Sequence, residues 1–157
     1  MGAGKSTIGP LLSTRLGWTF VDLDEEIERW SGNPIRTIFE VHGEAYFRSL
    51  EKSAIERLRD RQCCVVALGG GAFVAEENRL LVRDLGWSVF LDCPLELLLT
   101  RCPADGRRPL LRDYPRIEAL YQSRLPSYQT SDFRIDVSKR TPEEICGLIF
   151  NRFVDEG

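Results

Sequence analysis

At 157 residues the chain has the length of one domain and enough material to bury a substantial core. Apolar residues make up 43% and charged residues 29%, ordinary for a globular protein, and a net charge of −3 argues against a general nucleic-acid binder, which carries a basic excess. No apolar run approaches the ~20 residues of a membrane span, and no secretory signal pattern opens the sequence. The five cysteines are odd in number and lack CxxC spacing, which suggests neither a disulfide framework nor a zinc site. Most read as small buried hydrophobes, which fits a reducing cytoplasm.

The first segment, Met1-Gly2-Ala3-Gly4-Lys5-Ser6-Thr7, ends like a phosphate-binding loop of the form GxxxxGK[ST]. Glycines let a backbone wrap an anion, and the helix that follows turns its free N–H groups and positive dipole end toward the phosphates. In such a loop Lys5 reaches the β- and γ-phosphates and the Ser6 hydroxyl ligates Mg²⁺. The motif's leading glycine and the strand that delivers the loop would lie upstream of Met1. The natural chain is therefore expected to start before this residue.

A helix is predicted over 6–16, with Ile8, Leu11, Leu12 and Leu16 on one face and Gly17 as its stop. A β-prone run over 18–23 leads to a helix over 24–30 that Asp24 is able to cap, and 31–34 is a turn. Helices over 35–41 and 44–59 break at Gly43, with His42, the single histidine, closing the first. Phe47, Leu50, Ala54, Ile55 and Leu58 share a face of the second. The apolar run 63–68 reads as a strand buried on both faces in a parallel sheet, and it ends in Gly69, Gly70 and Gly71. Then come a helix over 76–85, a strand over 88–91, a helix over 94–101, an Arg-rich irregular stretch over 103–113, a helix over 115–128, a strand over 133–137 and a closing amphipathic helix over 142–153. Alternating strands and helices give an α/β fold with a parallel sheet, in which ligands bind at the carboxyl ends of the strands. The acids at 22 and 24, the triple glycine and the phosphate loop all fall at such ends, so they are expected to converge on one rim.

Asp22 and Asp24, two apart at a strand end, are read as projecting to one side. One carboxylate suits Mg²⁺, which takes few carboxylates beside phosphates and waters; the other suits a substrate hydroxyl. Three glycines after a buried strand imply close approach of backbone to a ligand. Glu51 stands three residues beyond Arg48 and is placed to hold its guanidinium. Arg124 suits a carboxylate. Arg107-Arg108-Pro109 lies in a loop able to fold over nucleotide as a lid, with an arginine neutralising the transferring phosphoryl group.

Taken together, GAGKST at 2–7, FVDLDEEIE at 20–28, IFEVHGEAYFRSLE at 38–51, LGGGA at 68–72, RRPLL at 107–111 and RLPSYQ at 124–129 resemble the shikimate kinases, small P-loop kinases, over nearly the whole length. The resemblance implies a three-layer α/β/α P-loop fold forming a single domain over 1–157, with a lid at about 103–113 and substrate-binding helices at about 33–59. It implies ATP-dependent phosphorylation of the shikimate 3-hydroxyl on the route to chorismate and aromatic amino acids, with Mg²⁺ as cofactor. By position, Gly2, Ala3, Gly4, Lys5, Ser6 and Thr7 hold the phosphates of ATP, and Ser6 and Asp22 serve the metal. Asp24 contacts shikimate hydroxyls and orients the attacking one. Arg48 and Arg124 form a carboxylate clamp, and Gly70, flanked by Gly69 and Gly71, gives a backbone contact. Arg108 reaches ATP from the lid, Arg101 and Arg140 flank adenine, and Phe39, Phe47 and Pro109 line the substrate pocket. A cytoplasmic monomer acting on small molecules, with no nucleic acid and no membrane, completes the expectation. Two alternatives stand beside it: a gluconate-type P-loop kinase, disfavoured by the set Arg48, triple glycine and Arg124, and a non-catalytic ligand-binding relative, disfavoured by intact Lys5, Asp24 and Arg108.

Overall fold

The computed structural model describes residues 2–101 and 114–156. The predicted lid therefore lies outside the described residues, and Arg108 and Pro109 with it.

The order of elements is α1 (Lys5–Leu16), β1 (Thr19–Asp22), α2 (Leu23–Ser31), α3 (Ile35–Arg57), a 3₁₀ turn (Leu58–Asp60), β2 (Cys64–Ala67), α4 (Glu76–Leu85), β3 (Val89–Asp92), α5 (Leu95–Arg101), α6 (Tyr114–Tyr128), β4 (Phe133–Asp136) and α7 (Pro142–Glu156). The alternation is that of an α/β protein, and every strand pairing among the described residues is parallel. The strands form two pairs. β1 runs beside β2, Thr19 facing Cys64 and Asp22 facing Ala67. β3 runs beside β4, Val89 facing Phe133 and Asp92 facing Asp136. Each pair belongs to its own compact unit: Gly9–Trp87 holds the first, and Met1–Ile8 with Ser88–Gly157 holds the second.

The core of the Gly9–Trp87 unit is the β1–β2 sheet with α2 and α3 packed about it. Val21, Leu23, Ile27, Ile38, Phe47, Ala54, Ile55, Leu58 and Ala72 form one buried cluster. Helix α3 turns Ile38, Phe47, Ala54 and Ile55 inward together with the carboxylate of Glu51. It bends where expected, because Gly43 adopts φ 79°, ψ 175°, a backbone state that a side chain resists. Gly9 is packed against Phe20 so closely that an added Cβ would lie 2.9 Å from the ring's Cδ2. In the other unit Leu95, Phe133, Val137, Ile145, Cys146 and Ile149 are buried. Ser88 binds Asp132 Oδ2 through both its N–H (2.8 Å) and its hydroxyl (2.6 Å), and Arg134 donates to Asp92 Oδ2 through Nε (2.8 Å) and Nη2 (2.6 Å), fastening β3 to β4.

Several expectations need correcting. Asp22, not Asp24, caps α2: its Oδ1 accepts from the N–H groups of Asp24 (3.0 Å) and Glu25 (3.4 Å). Capture of those donors starts the helix at Leu23 and carries Asp24 into the first turn, so the two acids do not alternate along a strand. Leu11 is 37% exposed, because Ile8 and Leu12, four residues apart, already define the inward face of α1. The run at β2 is half-buried over Cys64–Val66 rather than sealed on both faces. Cys63, expected to be buried, is exposed with φ 52° at the entry to that strand. Arg124 sits inside α6, which runs through Pro126 to Tyr128 as the predicted helix over 115–128 does.

Candidate active site

Four of the predicted residues meet inside the Gly9–Trp87 unit. Asp24 stands in the first turn of α2, Arg48 on α3, and Gly69 and Gly71 in the loop that leaves β2. The loop is a pair of overlapping turns, with the Ala72 N–H on the Gly69 carbonyl and the Val74 N–H on the Gly71 carbonyl, both at 3.1 Å. A Cβ at Gly69 would lie 2.8 Å from Asp24 Oδ1 and 3.4 Å from Glu51 Oε1. At Gly71 it would lie 2.7 Å from both Cζ and Nη2 of Arg48. The glycines are therefore required by space: they let backbone come up against an acid on one side and a guanidinium on the other.

Arg48 is held on two sides. Nη1 donates to Glu51 Oε2 at 2.5 Å; Nε and Nη2 both donate to Glu44 Oε1, at 3.2 and 2.9 Å. The Glu51 side chain is 1% exposed and the Glu44 side chain 67% exposed, so one partner is embedded in the core and the other stands in solvent. Burial opposes the charge on Arg48, but the hydrogen bonds and charges of Glu51 and Glu44 outweigh it and hold its pKa above that of an ordinary arginine. The guanidinium carbon also lies 5.4 Å from the centroid of the Phe47 ring. Phe47 is itself mostly core, 5% exposed, while Phe39 is exposed and meets it at 4.7 Å between ring centroids.

The phosphate-loop residues belong to the other unit. Gly4 takes φ 96°, and its carbonyl accepts from the N–H groups of Thr7 (3.0 Å) and Ile8 (2.8 Å) as α1 begins. Lys5 and Ser6 are thereby set in the first turn, with the Ser6 side chain exposed. Arg124 is half-buried on α6. Arg101, at the end of α5, donates to Cys93 Sγ at 3.9 Å, and Arg140 donates to the Asp136 carbonyl at 2.5 Å.

Both capping bonds of Asp22 fall on Oδ1, and Ser6 presents a hydroxyl in the first turn of α1; each is a hard oxygen donor of the kind Mg²⁺ takes.

Sequence reading overlooked Glu44 and the two residues that steady the glycine loop. Asn78 Nδ2 donates to the Ala72 carbonyl at 2.9 Å, and Arg79 Nη1 donates to the carbonyls of Phe73 (3.3 Å) and Val74. Glu44 was open to detection, standing four residues before Arg48 in a helix. Asn78 gives no such signal, because its partner is a backbone carbonyl in a loop.

A family model described as shikimate kinase matches residues 1–153. The chain is 42% identical over 153 residues to a shikimate kinase of Persephonella marina, covering 97% of this chain and 93% of that protein. Its structure is similar to that of shikimate kinase from Aquifex aeolicus, with a TM-score of 0.90 and 37% identity over 99% of this chain and 93% of that one. It is similar also to the shikimate kinase of Acinetobacter baumannii in complex with shikimate, with a TM-score of 0.91 and 35% identity over 99% and 89% of the two chains.

Proposed function

The chain belongs to the shikimate kinase family, and on that premise we infer that it transfers the γ-phosphoryl group of ATP to the 3-hydroxyl of shikimate, giving ADP and shikimate 3-phosphate. The step lies on the route to chorismate and the aromatic amino acids. The fold is the α/β fold of P-loop kinases. The observation that carries the reading at residue level is the cluster of Asp24, Arg48, Gly69 and Gly71: an acid and a cation of fixed position on either side of a bare backbone loop. That chemistry fits a ring bearing both hydroxyls and a carboxylate.

Phosphoryl transfer asks a protein for positioning and charge neutralisation more than for covalent chemistry. We assign Gly2, Ala3, Gly4, Lys5, Ser6 and Thr7 to the phosphates, with Lys5 neutralising charge on the group in transit. Asp24 accepts a hydrogen bond from the attacking hydroxyl and turns its lone pair toward phosphorus. Arg48 and Arg124 take the substrate carboxylate, while Gly69, Gly70 and Gly71 offer backbone to the ring. Phe39 and the edge of Phe47 line the pocket together with Pro109. Arg101 and Arg140 flank adenine, and Arg108 acts on ATP from the lid; lid closure would exclude water and limit idle hydrolysis. Ser6 and Asp22 would hold Mg²⁺, whose contribution is to neutralise charge on the β- and γ-phosphate oxygens. We take residues 1–157 as one functional domain, a monomer by its small size and cytoplasmic by its cysteine usage. No helix among the described residues is long and apolar enough to cross a membrane.

The test is ADP release from ATP by the purified protein with Mg²⁺, with and without shikimate. Release is expected to depend on shikimate and to stop on chelation of the metal. Release that ignores shikimate, or that gluconate supports equally well, would overturn the assignment.

A further inference from the structure

We propose that Glu44 competes, from within the chain, for the edge of Arg48 that receives the substrate carboxylate, and so determines how tightly the acidic substrate is held. The proposal rests on the reading of Arg48 as part of the carboxylate clamp.

A guanidinium recognises a carboxylate through pairs of N–H groups that lie side by side. On Arg48, Nη1 is committed to Glu51, whose buried carboxylate has no solvent to turn to. The pair formed by Nε and Nη2 is the two-donor edge that Glu51 does not touch. In this structure a carboxylate already sits on it, the Oε1 atom of Glu44 at 3.2 and 2.9 Å. The chemical class of the incoming group and of the resident one is the same. Their anchoring is not: the Glu44 side chain is 67% exposed and extends from the first residue after the Gly43 bend, where it can swing into water at little cost. Glu51 therefore fixes where the guanidinium stands, and Glu44 caps it until substrate arrives.

The size of the effect follows from the strength of the contact. An exposed pair four residues apart on a helix is weak, and occupation of a site by an internal group lowers apparent affinity by the fraction of molecules in which the site is taken. Removing the Glu44 carboxylate should thus tighten shikimate binding by about twofold to fivefold. A gain is informative here, because a loss of folding or of positioning could only weaken binding.

The experiment measures shikimate dissociation constants, and the KM for ATP with kcat, for Glu44→Ala, Glu44→Gln, Arg48→Ala and the double variant Glu44→Ala with Arg48→Ala. Glu40→Gln is the charge control: Glu40 is an exposed acid of α3 paired with Arg36, so its loss changes net charge without touching Arg48. Tighter shikimate binding in both Glu44 variants is expected, with the KM for ATP and kcat within about twofold of the parent, no change in the Glu40 control, and no effect of Glu44→Ala once Arg48 is gone. Unchanged or weaker binding in the Glu44 variants, while Arg48→Ala still costs affinity, overturns the competition and leaves the clamp standing. Tightening that persists without Arg48, or that Glu40→Gln reproduces, also overturns it, because the effect would then be one of general charge. Shikimate affinity that Arg48→Ala leaves untouched removes the clamp reading itself, and the proposal with it.

Discussion

The two compact units treat their functional side chains differently. In Gly9–Trp87 the groups assigned to shikimate are built into the core: Arg48 is tied to a carboxylate 1% exposed, and Asp24 stands where a Cβ at Gly69 would strike it. In the unit of Met1–Ile8 and Ser88–Gly157, helix α6, which carries Arg124, has no fully buried residue, and Arg101 and Arg140 are exposed side chains held by a sulfur and a backbone carbonyl. The first arrangement presets orientation for a small rigid ring. The second leaves its arginines able to adjust at low cost, since groups with few buried contacts reorganise most readily.

The comparison can be broken by substitutions whose effects divide between binding, catalysis and stability. The largest change is expected for Lys5→Ala, where loss of a charge aimed at the transferring group should lower kcat by at least about a hundredfold with little change in melting temperature. A kcat within tenfold of the parent would remove Lys5 from the reaction. Next come the two clamp arginines. Arg124→Ala should raise the KM for shikimate by about thirtyfold or more and leave the KM for ATP nearly unchanged; equal loss for both ligands would contradict its role. Arg48→Ala should do the same and also destabilise the fold by about 3 kcal/mol, because Glu51 is left buried without its cation. Urea unfolding of the two variants side by side tests the contrast between the units: similar stabilities would show that Arg48 is no more embedded than Arg124. The smallest effect is expected from Gly71→Ala. The new methyl group meets the guanidinium that Glu51 holds, so the pair is shifted rather than lost: stability should fall by about 1 kcal/mol, less than in Arg48→Ala, while the KM for shikimate rises by several-fold, in the range set by a displaced hydrogen bond to a charged group.

Much of the architecture was readable from spacing. The parallel α/β alternation, the bend at Gly43, the stop at Gly17 and the Glu51 partner of Arg48 all follow from local rules of period, backbone freedom and helix geometry. The errors share a cause. Asp22 ends β1 as expected, but Asp24 was read as the helix cap two residues along the same strand end, and the backbone N–H groups that take Asp22 Oδ1 start the helix one residue early, at Leu23. Leu11 was placed on an apolar face by its type, although Ile8 and Leu12 already filled that face.

The sequence by itself determined the kind of fold and the family, because these depend on residue type at fixed intervals along the chain. Only the tertiary structure decided that Gly71 must be bare because Arg48 lies over it, that Glu51 is buried while Glu44 is not, and that Asn78 secures the glycine loop through the Ala72 carbonyl. Those facts depend on distances between segments far apart in the chain, which packing sets and which no local pattern of residues records.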